Sequence, residues 1–213
     1  MPETSNNVHI LDHPLAKHKL TQMRDKNTPR SVFKALTNEL STMLAYEVTK
    51  EFETVDVEVE TPLMKTVQPE LKEQKLAVIP ILRAGLGMVD GFTYLLPNAI
   101  VSHIGLYRDP VTKKPIEYFR KFPKDIAERE VIIVDPMLAT GGSAIEAINI
   151  IKSVTDQQIY LVNILDAPEG IKAVQEAHPD VKLYTVEVDE KLNDNAYILP
   201  GLGDAGDRLF GTE

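Results

Sequence analysis

The chain has 213 residues, 43% of them apolar and 26% charged, the composition of a globular chain long enough for one substantial core. Its net charge of −9 and pI of about 5.1 exclude a broadly basic face for nucleic acid or anionic membrane; with no Cys there is no disulfide framework and no thiolate zinc site. No apolar run approaches the roughly 18 to 20 residues that span a bilayer, and "MPETSNNVHILDHP" lacks the basic start and apolar stretch of a secretory signal, so the expected location is the cytoplasm.

In chain order, the first strong helical signal starts at Thr28, a good N-cap, with Pro29 in the first helical position, where its missing N–H costs nothing. Phe33, Leu36, Leu40, Leu44 and Val48 then recur every three or four residues along one face. "TVDVEVET" (54–61) alternates as a half-buried strand does. "LAVIPIL" (76–82) reads as a buried strand that stops at "RAGLG", with a helix through "MVDGFTYLL" behind it. "AIVSHIGLY" (99–107) is a third strand. Residues 108–124 carry three prolines and many charges and read as a hairpin or arm projecting from the body.

"EVIIVD" (130–135) is the next strand and "SAIEAINIIKSV" (143–154) the next helix. "QIYLVNILDA" (158–167), a helix through "EGIKAVQEAH", and "VKLYTVEV" (181–188) continue the alternation. Strands separated by helices of this length predict parallel βαβ units in an α/β sheet. The Gly-rich "AYILPGLGDAGDRLFGTE" (196–213) is expected to be irregular. No linker divides the chain, so a single domain over 1–213 is expected.

The segment from Asp135 to Ser143 follows a predicted strand, and the carboxyl ends of such strands are where open α/β sheets bind ligands. Thr140, Gly141, Gly142 and Ser143 lead into the next helix, where N–H groups and two hydroxyls can face an anion. Asp135, just below, is an acceptor suited to sugar hydroxyls, so the segment suits a ribose 5-phosphate. Taken alone, it fits a plain strand–turn–helix with a Gly-Gly pair about equally well. Arg83, with Ala84 and Gly85 behind it, ends the 76–82 strand and suits a pyrophosphate clamp. In isolation, an Arg that caps a turn is the simpler reading, and Arg108 at the end of the third strand faces the same choice. "GLGDAG" (201–206) matches a dinucleotide fingerprint by letter, but only seven residues follow Gly206, too few for the helix and strand that fingerprint needs. The five His residues show no metal-ligand spacing, and no Walker loop or G-x-S-x-G turn is present.

The blocks "MRDKNT", "ELSTMLAYE", "PILRAGLGMVDGF", "HIGLYRDP", "VDPMLATGGSA" and "YILPGLGDAGDRLFGT" span nearly the whole chain. In this order they resemble the uracil phosphoribosyltransferases, within the type I phosphoribosyltransferases. The resemblance implies an α/β fold with a mainly parallel sheet flanked by helices, a β-arm over 108–124 and a C-terminal base-binding hood over 190–213. It implies transfer of phosphoribose from 5-phosphoribosyl-1-pyrophosphate (PRPP) to uracil, giving UMP and pyrophosphate in pyrimidine salvage, with Mg²⁺ delivered on PRPP.

Carried over residue by residue, the resemblance makes Asp135, Pro136, Met137, Leu138, Ala139, Thr140, Gly141, Gly142 and Ser143 the loop that grips the 5-phosphate and ribose. Arg83 and Arg108 would hold the pyrophosphate. Ile198, Gly203, Asp204 and Ala205 would read uracil, with Asp204 also facing PRPP; Asp204, Arg108 and Asp135 are the catalytic candidates. A homo-oligomer, dimer or tetramer, is a further implication. Some relatives take GTP as an activator, which leaves that question open for this chain. Nucleic acid and membrane are not expected partners.

Two departures stand out. Pro136 occupies the place where the wider superfamily has a second acid, so a metal held by the protein itself is not expected. Asn195 and Ala196 stand where a His–Gly pair is expected; because the base-reading atoms are expected further on, little effect is anticipated. Two rivals remain: an RNA-binding regulator on the same fold, which would need a basic stripe, and a purine-using enzyme, which would need a larger base pocket.

Overall fold

The computed structural model describes residues 7–72, 75–109 and 115–212; residues 110–114 of the expected arm and the side chain of Arg108 lie outside this description. The chain begins with strand β1 (Val8–Ile10) and helix α1 (Pro14–Arg24), which buries a stripe of Ala16, Leu20 and Met23. Helix α2 (Arg30–Val48) follows and buries the face expected of it. Its cap differs from expectation: the Pro29 carbonyl accepts from Phe33 N at 2.9 Å, which makes Pro29 the N-cap, and the Thr28 hydroxyl donates instead to the Gln22 carbonyl at 2.5 Å. Strands β2 (Thr54–Glu60) and β3 (Lys65–Leu71) form an antiparallel hairpin apart from the main sheet. The alternation at 54–61 is therefore not that of a half-buried strand, since Val55, Val59 and Val67 all stay exposed.

The body runs through β4 (Leu76–Leu82), α3 (Leu86–Leu95), β5 (Ile100–Val101), β6 (His103–Arg108), β7 (Pro115–Lys121) and β8 (Glu130–Val134). It continues with β9 (Met137–Leu138), α4 (Gly142–Lys152), β10 (Ile159–Val162), β11 (Leu165–Asp166), α5 (Pro168–Ala177), β12 (Lys182–Thr185) and β13 (Glu187–Val188). Strands β14 (Lys191–Leu192) and β15 (Ile198–Leu199) and helix α6 (Ala205–Phe210) complete it. The C-terminal stretch is thus not irregular: a two-stranded ladder and a short helix shape it.

The main sheet has the order β1-β12-β10-β8-β4-β6-β7, with β5 also paired to β4. Every pairing in it is parallel except β6 with β7, which runs antiparallel at the edge. From β4 the chain builds outward to β6, then returns to the other side of β4 as β8 and builds the opposite way through β10 and β12. The direction of growth therefore reverses between β4 and β8, the point in an open α/β sheet where ligands are held.

Alternate residues of the central strands face opposite ways, so the sheet carries a core on each side. Val78, Ile132, Val134 and Val162 pack with α1, α2 and α3, whereas Ala77, Ile79, Ile133 and Leu161 pack with α4 and α5. The apolar runs at 158–167 and 181–188 each divide into two strands. After β8, β10 and β12 the chain steps out of the main sheet and forms a second parallel ladder, β9-β11-β13, beyond their carboxyl ends.

Candidate active site

The second ladder fixes the loop that follows β8. The Asn163 side-chain amide donates to the Asp135 carbonyl at 2.6 Å, and Ile164 N and Leu165 N both reach the Pro136 carbonyl, at 3.0 and 3.1 Å. Ala167 N then donates to the Leu138 carbonyl at 2.8 Å. Pro136 is buried and has no N–H to offer, and the Leu138 side chain lies in the core, so neither presents a side-chain donor to a ligand. Met137 and Ala139 face the other way, onto a cleft.

Further on, Gly141 caps α4 in the left-handed region at φ +83°, and a Cβ there would come within 3.1 Å of the Gly170 carbonyl. Only Gly meets both conditions without strain. This leaves the first N–H groups of α4 and the partly exposed Thr140 and Ser143 at one helix end, where the backbone dipole favours an anion.

The cleft has a volume of about 360 Å³ and is lined by Asp135, Met137 and Ala139 on one wall, Ala84 beside them, and Asn195 to Ile198 and Gly203 to Gly206 on the other. Seven of the residues expected from the sequence therefore meet at one place: Asp135, Met137, Ala139, Ile198, Gly203, Asp204 and Ala205. Thr140 to Ser143 and Arg83 stand outside the cleft lining. Arg83 follows the carboxyl end of β4 with its side chain 60% exposed and, among the described residues, one long ion pair, 3.8 Å, to Asp207. Its side chain is available to a polyanion. Arg108 ends β6, and its side chain belongs to the part not described.

Asp204 is the N-cap of α6: its carboxylate accepts from Asp207 N at 3.0 Å. Asn195 and Ala196, expected to matter little, prove to be part of the cleft wall. Ala196 holds φ +62°, the one non-glycine residue with positive φ among the described residues, in a turn where the Asn193 side chain accepts from Asn195 N and Tyr197 N at 2.9 Å each.

Beneath Asp135 lies a buried acid that the sequence reading passed over. Asp166 on β11 is fully buried, and neither carboxyl oxygen finds a hydrogen-bond donor among the described residues. Burial pushes its pKa well up, and the negative charge of Asp135 pushes the same way. The Thr185 hydroxyl, which donates to the Glu187 carbonyl at 3.1 Å, would offset part of this only by turning toward the Asp166 carboxyl instead. The available signal was a polar pair, Asn163 and Asp166, interrupting an otherwise apolar run. Among the described residues, no group of three or more His, Cys, Asp or Glu side chains is placed to hold a metal ion. No described helix is long and apolar enough to cross a membrane.

A mainly parallel sheet flanked by helices, with its growth reversing between β4 and β8, is the fold of the type I phosphoribosyltransferases. An adenine phosphoribosyl transferase from Trypanosoma brucei shares it at a TM-score of 0.59, with 14% identity over 93% of this chain and 88% of its own. The family model for uracil phosphoribosyltransferase matches residues 10–212. A uracil phosphoribosyltransferase of Finegoldia magna is 61% identical over 97% of this chain and 99% of its own length. The solved AQ2163 protein from Aquifex aeolicus superposes at a TM-score of 0.90, with 36% identity over 97% of this chain and 99% of its own. The chain belongs to the uracil phosphoribosyltransferase family.

Proposed function

We propose that the residues around this cleft carry the family's reaction in full: PRPP and uracil are converted to UMP and pyrophosphate, a pentosyl transfer in pyrimidine salvage. The observation that carries the reading is the meeting of Asp135 and Asp204 across one cleft, the first from the β8 strand end and the second from the hood. As a reaction of a phosphorylated sugar it belongs in the cytoplasm. On this reading residues 1–213 act as one catalytic domain, with 108–124 as its arm and 190–213 as its hood.

The 5-phosphate would rest on the N-terminal amides of α4 and the hydroxyls of Thr140 and Ser143. The Asp135 carboxylate would accept from the ribose hydroxyls. Loss of pyrophosphate from the anomeric carbon builds positive charge on the ribose, as in other glycosyl transfers. The exposed Arg83, with Arg108 as the resemblance implies, would stabilise the negative charge building on the leaving group. Hard carboxylate oxygens at the cleft, those of Asp135 and Asp204, suit a Mg²⁺ that keeps its phosphate and water ligands when it arrives on PRPP. That ion supplies charge neutralisation on the pyrophosphate.

Holding uracil N1 against the anomeric carbon would provide much of the remaining rate. Uracil presents acceptor, donor, acceptor along O2, N3–H and O4, and cytosine reverses the last two. Backbone groups of Ile198 and of Gly203 to Ala205 are fixed donors and acceptors, so cytosine would leave both sides mispaired. Such sites discriminate by about 10⁴ or more. Asp204 would orient uracil and a water that takes the N1 proton as the N1–anomeric carbon bond forms, rather than take that proton itself.

A homo-oligomer, dimer or tetramer, is part of this reading. The apolar side chains displayed on the β2–β3 hairpin support it, with Leu63 94% and Met64 66% exposed. GTP as an activator rests on the resemblance alone and is tested by adding it to the assay. The experiment for the reaction is UMP formation from PRPP and Mg²⁺ with uracil, beside cytosine, hypoxanthine and no base. Product with uracil alone is expected. Product with hypoxanthine would favour the purine reading, and none with any base, together with binding of pyrimidine-operon leader RNA, would favour the regulatory one.

A further inference from the structure

The hood is held at one residue by an ion pair that touches no part of the cleft. Arg24, the last residue of α1, donates through Nη2 to Asp189 Oδ1 at 2.6 Å and through Nη1 to Asp189 Oδ2 at 2.8 Å. The same Nη1 also donates to the Gly201 carbonyl at 2.8 Å, and Gly201 N donates back to Asp189 Oδ2 at 2.8 Å. The pair therefore satisfies both backbone groups of Gly201. The Asp189 side chain is only 4% exposed, so these bonds form where water competes little. Gly201 itself sits at φ +68°, and a Cβ there would meet the Ile198 carbonyl at 2.1 Å, so the chain can turn tightly at this point.

Gly201 lies between the two stretches of the hood that line the cleft, Ile198 on one side and Gly203 to Ala205 on the other. Arg208 takes the next carbonyl, that of Leu202, at 2.7 Å, so two guanidinium groups hold consecutive carbonyls of one loop. We infer that Arg24 and Asp189 are positioning residues for base recognition: their forked pair sets the backbone donors and acceptors that distinguish uracil. The inference rests on the hood being the uracil reader, as proposed above. A point charge cannot replace the fork, because the geometry uses two donors in one plane and shares one of them with a carbonyl.

The test is steady-state kinetics on the full chain with both substrates varied. Arg24→Ala is expected to raise KM for uracil at least tenfold and to erode the preference for uracil over cytosine, while KM for PRPP changes less than threefold. A surface cleft of about 370 Å³ lined by Arg24, Gly201 and Arg208 gives solvent access to the vacated place. Guanidinium ion at millimolar concentration should therefore restore uracil KM in this variant, and urea, its neutral analogue, should not. Arg24→Lys, which keeps the charge and part of the packing, should fall between wild type and Arg24→Ala and serves if the alanine variant does not fold. An unchanged uracil KM in either folded variant, or equal rises in both KM values, would overturn the inference. Wild type making no UMP would instead overturn the proposed reaction on which it rests.

Discussion

The two walls of the cleft are built differently. The loop from Asp135 to Ser143 takes its shape from the sheet beneath it: the carbonyls of Asp135, Pro136 and Leu138 are each fixed by the segment that follows β10. The hood carries only the short antiparallel ladder of β14 with β15, and it packs Ile198, Leu202 and Leu209 into the core. It is pinned by side chains from α1 and α6, Arg24 through Asp189 and Arg208 through the Leu202 carbonyl. On the proposed reading, the wall that would hold the sugar phosphate is an extension of the sheet, whereas the wall that would read the base is a short strand pair and helix held by apolar packing and a few polar ties. The half of the substrate common to every base would then meet the sheet-built part of the fold, and the half to be discriminated would meet the part that a few substitutions can retune.

The largest effect should come from the hood acid that faces Asp135 across the cleft. Asp204→Asn is expected to lower kcat about 100-fold or more, within the range for a positioned acid–base or orienting group. The fold should stay intact, because Asn caps a helix as well as Asp does. Turnover near wild type would remove Asp204 from the mechanism; a matched thermal melt separates that outcome from unfolding.

In the loop that continues the sheet-built wall, Gly141→Val places a branched side chain at φ +83° and against the Gly170 carbonyl. Left-handed backbone alone costs about 1–2 kcal/mol for a non-glycine residue. KM for PRPP should rise roughly tenfold, a change worth about 1.4 kcal/mol, with KM for uracil nearly unchanged. Rises of equal size in both would mean that the walls are not independent.

Asp166 tests the same wall from below through pH. Its folded pKa is raised, so the folded chain retains a proton that the unfolded chain releases above its ordinary value of 3.8. Stability is therefore lost as pH climbs from there through the folded pKa. Asp166→Asn removes that loss, so the variant should melt a few degrees above wild type at pH 7.5, with the gap closing toward pH 4.5. A gap that stays constant or widens on acidification would show that Asp166 is ionised in the fold.

The smallest effect belongs to the hood. Ala196→Gly relieves a residue held at φ +62° and should stabilise by about 1 kcal/mol, or roughly 2–4 °C in Tm for a chain of this size. A lower Tm would show that the alanine methyl packs usefully against the cleft wall.

The two walls were not equally legible in the sequence. β4 and β8 are unbroken apolar runs that end in a charged residue and small ones, so Arg83, Asp135 and the Gly141–Gly142 turn stood out. α1 did not, because only three residues of "PLAKHKLTQMR" face the core. The 158–167 run conceals its break, since only Asn163 marks the step between ladders, while Asp166 lies within the second one. At 54–61 the alternation mimics half-burial while both faces of the hairpin are mostly exposed. In the hood, β15 and α6 are too short for a periodic signal, and the Arg24–Asp189 pair joins positions 165 residues apart, which no local pattern records.

The most direct test of the two-wall account is one variant, Asp135→Asn, assayed for PRPP KM and for the ratio of kcat/KM with uracil to that with cytosine. The account predicts a PRPP KM raised at least tenfold with the uracil preference unchanged. An unchanged PRPP KM, or a loss of preference as large as the loss of PRPP affinity, would contradict it.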